Sequence, residues 1–232
     1  MIRAIFFDLD NTLYDQDLYF LSAYTTIARY LEKCFSFPND YILSILMVLL
    51  REKGSMYSTL FDDLLESIGS REENLVRVLV ELFHNAAVET LVPYEDAGIV
   101  LPRLARTFSL GIITNGYAEM QRRKVAALGL SELLPIQVYT AELCHPKPSK
   151  RCYEHAIKMV NVNPGDSLYV GDNPYIDFMG AKETGMYTVR LMRGEFMTVQ
   201  SIGESVDAQV KDYYELEDLI SNLNIDSTWR HP

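Results

Sequence analysis

Short apolar runs alternate with helical segments from residue 109 onward, an alternation that is typical of strand–helix units in a parallel sheet. The pattern predicts strands at residues 2–7, 109–114, 136–139, 167–170 and 187–191. It predicts the clearest helices of this part at residues 119–128, 150–160 and 214–221. The chain is therefore expected to fold as an α/β protein around a parallel sheet.

A second region shows helical periodicity with almost no strand signal. It predicts helices near residues 18–35, 40–52, 56–68 and 71–88. The second of these is apolar nearly all round, so it is either central in a small bundle or covered by a partner. We expect a helical domain at residues 15–93 inserted into a core made of residues 1–14 and 94–232. A plain tail is expected from residue 226.

Composition limits the class of protein. The 232 residues are 48% hydrophobic, and no apolar run approaches the roughly 20 residues that cross a bilayer. The first apolar stretch is too short for a signal peptide, and the three cysteines have no CxxC spacing, which favours reduced thiols. The sequence predicts a cytoplasmic protein without a membrane partner, expected as a monomer or homodimer.

The net charge of the chain further limits the kinds of partner that it can bind. A net charge of −11 at pH 7 repels nucleic acids, and no basic stripe interleaved with aromatic residues offsets it. A small anionic substrate is compatible with this charge only if a local positive cluster or a bound metal cation inverts the field at the site.

Two carboxylates, Asp8 and Asp10, follow the apolar run at residues 4–7 and so stand at the carboxyl end of the first predicted strand. Ligands bind at this edge of an open α/β sheet, because the loops after the strands form a crevice there. A strand that simply ends in a turn is the alternative interpretation, since Asp is also a common turn residue.

The following predicted strands lead to residues of complementary chemistry. Thr114, Asn115 and Gly116 would offer a hydroxyl and backbone N–H groups to phosphate oxygens, although the same residues also form ordinary turns. Lys147 stands between two prolines, in a kind of loop where a lysine is most often only solvated.

Asp172 and Asp177 follow the strand predicted at residues 167–170. Mg²⁺ prefers hard oxygen ligands and usually takes one or two carboxylates together with water and substrate phosphate. Four acids, a threonine and a lysine at the carboxyl ends of predicted strands form an arrangement that separate turns would not explain.

The order of these residues resembles the haloacid dehalogenase superfamily, whose phosphatases carry a DxDxT motif, a Ser or Thr after the second motif strand, a Lys and an acidic GDxxxxD-type motif. The match runs from Asp8 to Asp177. Within the superfamily, the sequence is similar to the branch with an α-helical cap inserted after the first motif. The resemblance implies a Rossmann-like parallel sheet in a three-layer α/β/α core with an all-helical cap. It also implies a Mg²⁺-dependent phosphomonoester hydrolase that forms an aspartyl-phosphate.

The resemblance assigns each residue a role. Asp8 would attack phosphorus, and Asp10 would protonate the leaving alcohol and then activate water. Thr114, with the N–H groups of Asn115 and Gly116, would hold phosphoryl oxygens.

Lys147 would neutralise Asp8 and the transferring phosphoryl group. Mg²⁺ would be bound by the carboxylates of Asp8 and Asp172 and by the main-chain carbonyl of Asp10. Asp177 would bind the ion directly or through water.

Other reactions remain open at this point. A dehalogenase also uses an Asp nucleophile but needs neither the second acid nor the metal, so Asp10 disfavours it. A sugar phosphomutase would retain every residue named above. A phospho-accepting signalling domain would lack the DxDxT spacing and the helical insertion, and a binding module without catalysis is disfavoured because no motif position is lost.

The expected substrate is a small phosphorylated metabolite. The spacing at residues 114–130 looks most like members that hydrolyse nucleoside monophosphates, while phosphoglycolate and sugar phosphates stay open. Four aromatic or cationic residues of the insertion are candidates for setting specificity: Tyr19, Tyr24, Arg51 and Tyr57.

Overall fold

The computed structural model describes residues 1–70, 72–200 and 205–225. Arg71, where the fourth insertion helix is predicted to begin, and the predicted tail from residue 226 lie outside these described residues. The chain forms two compact units, Asp17–Thr90 on the one hand and Met1–Gln16 with Leu91–Pro232 on the other. Among the helices described, none combines the length and apolarity needed to cross a bilayer.

A parallel sheet forms the centre of the larger unit. Within the described residues its strands are β1 (Ala4–Phe7), β2 (Ser109–Thr114), β3 (Ile136–Tyr139), β4 (Ser167–Gly171), β5 (Tyr187–Leu191) and β6 (Ala208–Val210). Their spatial order is β3-β2-β1-β4-β5-β6, so β1 lies between β2 and β4. The predicted strands are all present, whereas β6 was not predicted because a partly exposed edge strand of three residues leaves no apolar run.

The smaller unit is helical. Its helices are α1 (Asp17–Phe35), α2 (Asn39–Lys53), α3 (Leu60–Ser67) and α4 (Glu73–His84). Phe83 lies against the rings of Tyr19, Phe20, Tyr24 and Phe61. These aromatic contacts join α1, α3 and α4.

Two expectations about the smaller unit change. Tyr19 and Tyr24 are buried in it, and the Tyr19 hydroxyl donates to the Phe83 carbonyl, so both side chains serve packing rather than specificity. The side chain of Arg51 is exposed and that of Tyr57 is partly exposed, which keeps them as candidates for setting specificity.

α2 is not central, because it buries a single stripe of residues against its neighbours: Ile42, Leu46 and Leu50.

Helices cover both faces of the sheet. In the larger unit they are α5 (Glu95–Leu104), α6 (Ala118–Ala127), α7 (Thr140–Leu143), α8 (Lys150–Val160), α9 (Met179–Thr184) and α10 (Tyr213–Ile225). Phe6 packs in a cluster with Tyr153 of α8, while the ring of the next residue, Phe7, stacks on Tyr213 of α10 at 6.0 Å. Successive strand residues point to opposite faces, so the core has three layers, which confirms the predicted α/β class.

Candidate active site

The carboxyl ends of β1, β2 and β4 bring the predicted site residues together. Asp8 follows β1 directly, Thr114 ends β2, and Asp172 follows β4. Phe7 is in register with Ile112 and Val170, so the loops leave the sheet at nearly the same height. Five of the predicted residues are at most 7% exposed: Asp8, Thr114, Lys147, Asp172 and Asp177.

Lys147 is the electrostatic centre of this cluster. Its Nζ lies 2.6 Å from Asp8 Oδ1, 2.7 Å from Asp177 Oδ1 and 3.0 Å from the Tyr169 hydroxyl, so all three ammonium donors have acceptors. Burial alone would lower the pKa of Lys147, but the carboxylates of Asp177 and Asp8 raise it above its usual value. The lysine therefore stays a cation beside the proposed nucleophile.

The pKa of the Asp8 carboxyl is also shifted by its surroundings. Burial raises its pKa to about 7 against the opposing charge of Lys147, and the nearby charges of Asp177 and Asp10 add to the increase. A desolvated carboxylate held by one lysine is a better nucleophile than a fully hydrated one, because less water must be displaced from it.

Asn115 holds the Lys147 loop in place. Its Oδ1 accepts from the Lys147 backbone N–H at 2.8 Å and from the Thr140 hydroxyl at 2.7 Å, and its Nδ2 donates to the Lys147 carbonyl at 3.1 Å. The side chain therefore fastens two loops to each other. A contact between Asn115 and a substrate would come from its backbone N–H or from the second hydrogen of Nδ2, whereas Gly116, whose φ is +105°, offers only its backbone N–H.

Three carboxylates form a candidate cation site. One oxygen from each of Asp8, Asp172 and Asp177 lies within 4.8 Å of the others. Asp172 Oδ1 accepts from the Thr12 hydroxyl at 3.4 Å, but among the described residues its Oδ2 is buried without a hydrogen-bond partner. Burial, reinforced by the charges of Asp177 and Asp8, raises the pKa of Asp172. An ionised Asp172 therefore requires a compensating cation.

The local charge also fits a divalent ion. Four carboxylates face two buried ammonium groups, which leaves two net negative charges: Asp8, Asp10, Asp172 and Asp177 against Lys124 and Lys147. Hard oxygen ligands with this net charge suit Mg²⁺, which would also give Asp172 Oδ2 a partner.

Hydrogen bonds from the protein fix the Asp177 carboxylate. Its Oδ1 accepts from Lys147 and, at 3.0 Å, from the Tyr169 hydroxyl, while its Oδ2 accepts from the Asn173 backbone N–H at 2.9 Å. Gly171 makes room for it, because a Cβ there would lie only 2.4 Å from Asp177 Oδ2. Both oxygens already have protein donors, which favours a contact with a cation through water over direct ligation.

Asp10 has partners that the sequence analysis missed. Lys124 Nζ and the Tyr14 hydroxyl donate to its Oδ1 at 2.8 and 2.5 Å, and Gln121 Nε2 donates to its Oδ2 at 2.7 Å. Burial would raise the pKa of Asp10, but the Lys124 charge and the hydrogen bonds from Lys124, Tyr14 and Gln121 hold it below the usual value. The carboxylate is thus held ionised and oriented.

A weak sequence signal did point to these partners. Gln121 and Lys124 occupy positions three apart in a predicted helix, and both are buried in the structure. Polar residues on the inward face of an amphipathic helix mark a polar contact, but nothing in the spacing names Asp10 as the partner. Tyr169, inside an apolar strand, carries a similar signal through its hydroxyl.

Comparisons with known proteins agree with this geometry. A family described as haloacid dehalogenase-like hydrolase matches residues 5–191. The glyceraldehyde 3-phosphate phosphatase of Methanocaldococcus jannaschii is 30% identical over 97% of the chain and 100% of that protein, and that of Methanopyrus kandleri is 30% identical over 96% and 99%. A hydrolase of haloacid dehalogenase type from Bacillus subtilis shares the fold, with a TM-score of 0.71 at 19% identity over 94% of this chain and 98% of that one.

Proposed function

The chain belongs to the haloacid dehalogenase-like hydrolases, and we propose that it hydrolyses small phosphomonoesters through a phosphorylated Asp8, with Mg²⁺ bound beside it. One observation carries the proposal: Asp8 is buried at 2.6 Å from Lys147, next to a carboxylate oxygen of Asp172 that has no partner among the described residues. A nucleophile, a fixed cation and carboxylate ligands for a metal ion are the parts that phosphoryl transfer needs.

The proposed reaction uses Asp8 and Asp10 in turn. An Asp8 oxygen attacks phosphorus, the bond from phosphorus to the ester oxygen breaks, and Asp10 gives that oxygen a proton. Asp10 then takes a proton from the water that attacks the acyl phosphate, which releases inorganic phosphate and restores Asp8. A bound phosphate dianion raises the pKa of a neighbouring carboxyl, so Asp10 would gain its proton as substrate enters.

Lys147 and Thr114 would serve the phosphoryl group. The Lys147 ammonium is placed to offset charge on Asp8 and on the phosphoryl oxygens. The buried Thr114 hydroxyl stands at the same edge and donates to the Asn115 carbonyl at 3.2 Å, so it would turn its hydrogen to a phosphoryl oxygen when substrate binds. Mg²⁺, held by Asp8, Asp172 and the Asp10 carbonyl and by Asp177 through water, would supply Lewis-acid charge stabilisation.

Asp10 separates this reaction from dehalogenation. Three side chains orient its carboxylate, and an arrangement of that kind has no use in a reaction without a second acid. Phosphate release from a simple aryl phosphate, in MgCl₂ and in EDTA, tests the proposal. Full activity in EDTA, or no phosphate release with Mg²⁺ present, would reject it.

We further propose a three-carbon sugar phosphate as the substrate class. The relatives at 30% identity that span nearly the whole chain are named glyceraldehyde 3-phosphate phosphatases. Nucleoside monophosphates, the class favoured by the spacing at residues 114–130, therefore become the competing prediction.

A panel of phosphomonoesters decides between these classes. We expect kcat/KM for glyceraldehyde 3-phosphate to exceed that for AMP by about tenfold or more, because binding differences of this size follow from a few contacts. Phosphate release would be measured at equal substrate concentrations, with phosphoglycolate included. A higher kcat/KM for AMP would return the substrate class to the nucleotides.

Metal binding is expected to change stability as well as activity. For the wild type, Mg²⁺ should raise Tm in a concentration-dependent way, because it binds only the folded site. Asp172→Asn should lose this shift, and without metal it should be at least as stable as the wild type, since it removes a buried carboxylate that Asp177 and Asp8 repel.

The matched control is Asp62→Asn, which removes the same charge from an exposed position in the smaller unit. It should keep the full response to Mg²⁺ in differential scanning calorimetry. An unchanged Mg²⁺ shift in Asp172→Asn would show that the ion binds elsewhere.

A further inference from the structure

Gln121 and Lys124 lie on one face of α6, the helix that begins four residues after Thr114. Residues three apart in a helix project from the same side, and both side chains are only 1% exposed. Burying a lysine and a glutamine costs free energy unless their polar groups are satisfied, so their contacts explain why they are there.

The Gln121 amide links the proposed acid to the proposed phosphate site. Its Nε2 lies 2.7 Å from Asp10 Oδ2, 2.8 Å from the Thr114 hydroxyl oxygen and 2.9 Å from the Asn115 carbonyl oxygen, so its two hydrogens are shared among three acceptors. Its own Oε1 is buried without a partner among the described residues. A methionine would fill similar space without burying an unpaired carbonyl, so the N–H contacts are what glutamine adds.

Lys124 holds the other oxygen of Asp10. Its Nζ lies 2.8 Å from Asp10 Oδ1, which also accepts from the Tyr14 hydroxyl at 2.5 Å. The carboxylate therefore receives donors at both oxygens and cannot rotate about χ2 without losing at least one of them. Its orientation is set by α6 as well as by its own loop.

We propose that Gln121 and Lys124 are positioning residues, which keep the Asp10 carboxylate and the Thr114 hydroxyl in a fixed relation so that Asp10 transfers its proton to the leaving oxygen of a substrate at Asp8. This inference rests on the proposed function, because it gives Asp10 the proton transfer. Neither residue needs to touch the substrate, since both act through Asp10 and Thr114.

Leaving-group dependence tests this role. For Gln121→Met and Lys124→Met, we expect kcat/KM for an alkyl phosphate to fall by about 10–100-fold, whereas kcat/KM for a nitrophenyl phosphate falls by less than about fivefold. The ratio kcat/KM is the measurement to use because it covers the steps up to phosphorylation of Asp8 and excludes the later hydrolysis, which Asp10 also assists with every substrate. A poor leaving group needs the proton in the transition state, while a nitrophenolate leaves without it. Asp10→Asn should show the same split in a larger form.

A double-mutant cycle shows whether Gln121 acts through Asp10. In the Asp10→Asn background, Gln121→Met should add little further leaving-group dependence, because the group it positions no longer donates a proton. Independent effects would multiply, which would overturn the proposal. Equal losses on alkyl and aryl phosphates in the single variants would also overturn it, since they indicate a structural role.

Controls separate this result from other failures. Gln209→Met and Lys158→Met make the same changes at exposed positions and should leave both rates unchanged. Gln121→Asn, which keeps the amide but shortens its reach, replaces Gln121→Met if that variant does not fold, with the same split expected. A wild type that releases phosphate from neither substrate would reject the proposed function, whereas an active wild type with no split in the variants rejects the inference alone.

Discussion

Asp8→Asn is expected to reduce phosphate release by roughly 10⁴-fold or more while the protein stays folded. An amide cannot supply the attacking oxygen, but its carbonyl can still accept the hydrogen bond that Lys147 Nζ gives Asp8 Oδ1 at 2.6 Å. The loss should appear equally on alkyl and aryl phosphates, because the nucleophile is needed whatever the leaving group. Phosphate release and the thermal unfolding curve are the two measurements.

The covalent step can be seen directly in a second variant. Asp10→Asn keeps the nucleophile and slows hydrolysis of the acyl phosphate, so acid quenching should trap a phosphoryl group on the peptide that contains Asp8. Asp8→Ala excludes activity that returns through deamidation of Asn. Substantial turnover in Asp8→Ala, or a phosphoryl group on another residue, would contradict the assignment of the nucleophile.

Lys147→Met is expected to lower the free energy of unfolding by about 3–5 kcal/mol and to abolish turnover. Lys147 is the cation that Asp8 and Asp177 share at 2.6 and 2.7 Å, and its removal leaves two carboxylates buried without it. Turnover should fail in protein that is still folded, because Lys147 is the side-chain cation that pairs with Asp8 and Mg²⁺ alone would leave part of the charge between Asp8 and a phosphate dianion unbalanced.

The control for this prediction lies on the exposed side of α8. Lys158→Met makes the same substitution at a solvated position and should change the free energy of unfolding by less than about 0.5 kcal/mol. Urea unfolding of both variants, followed by phosphate release at a urea concentration where both are folded, separates stability from turnover. If Lys147→Met were as stable as the wild type and turned over an aryl phosphate at a similar rate, Lys147 would have no electrostatic role.

The strands were predictable because their signal is local. A buried parallel strand is a short apolar run, and β2, β3 and β5 begin and end at the predicted residues. Elements without such a run were missed: β6 has three residues, α7 four and α9 six. Short elements of this kind form because the sheet and its neighbours pack against them, which no local pattern records.

The part of the site that follows a strand was also within reach of the sequence. Asp8, Thr114 and Asp172 stand where apolar runs end, and parallel strands place their carboxyl ends at one edge. That rule predicts which residues lie near one another, but not which atoms are in contact. It does not reveal that the Asn115 side chain holds the Lys147 backbone or that Tyr169 donates to Asp177.

By itself the sequence determined the α/β class, the helical insertion and the identity of the acidic, hydroxyl and lysine groups at the sheet edge. Each of these follows from a local pattern, either an apolar periodicity or a short motif, that can be recognised within a few residues. Only the tertiary structure decided which charges are paired. Lys124 and Gln121 reach Asp10 across 114 and 111 residues of chain, and Lys147 reaches Asp8 across 139. Such contacts depend on the order of β1, β2 and β4 in the sheet and on the packing of α6, and burial then makes each pairing strong enough to set the ionisation and orientation of the carboxylates.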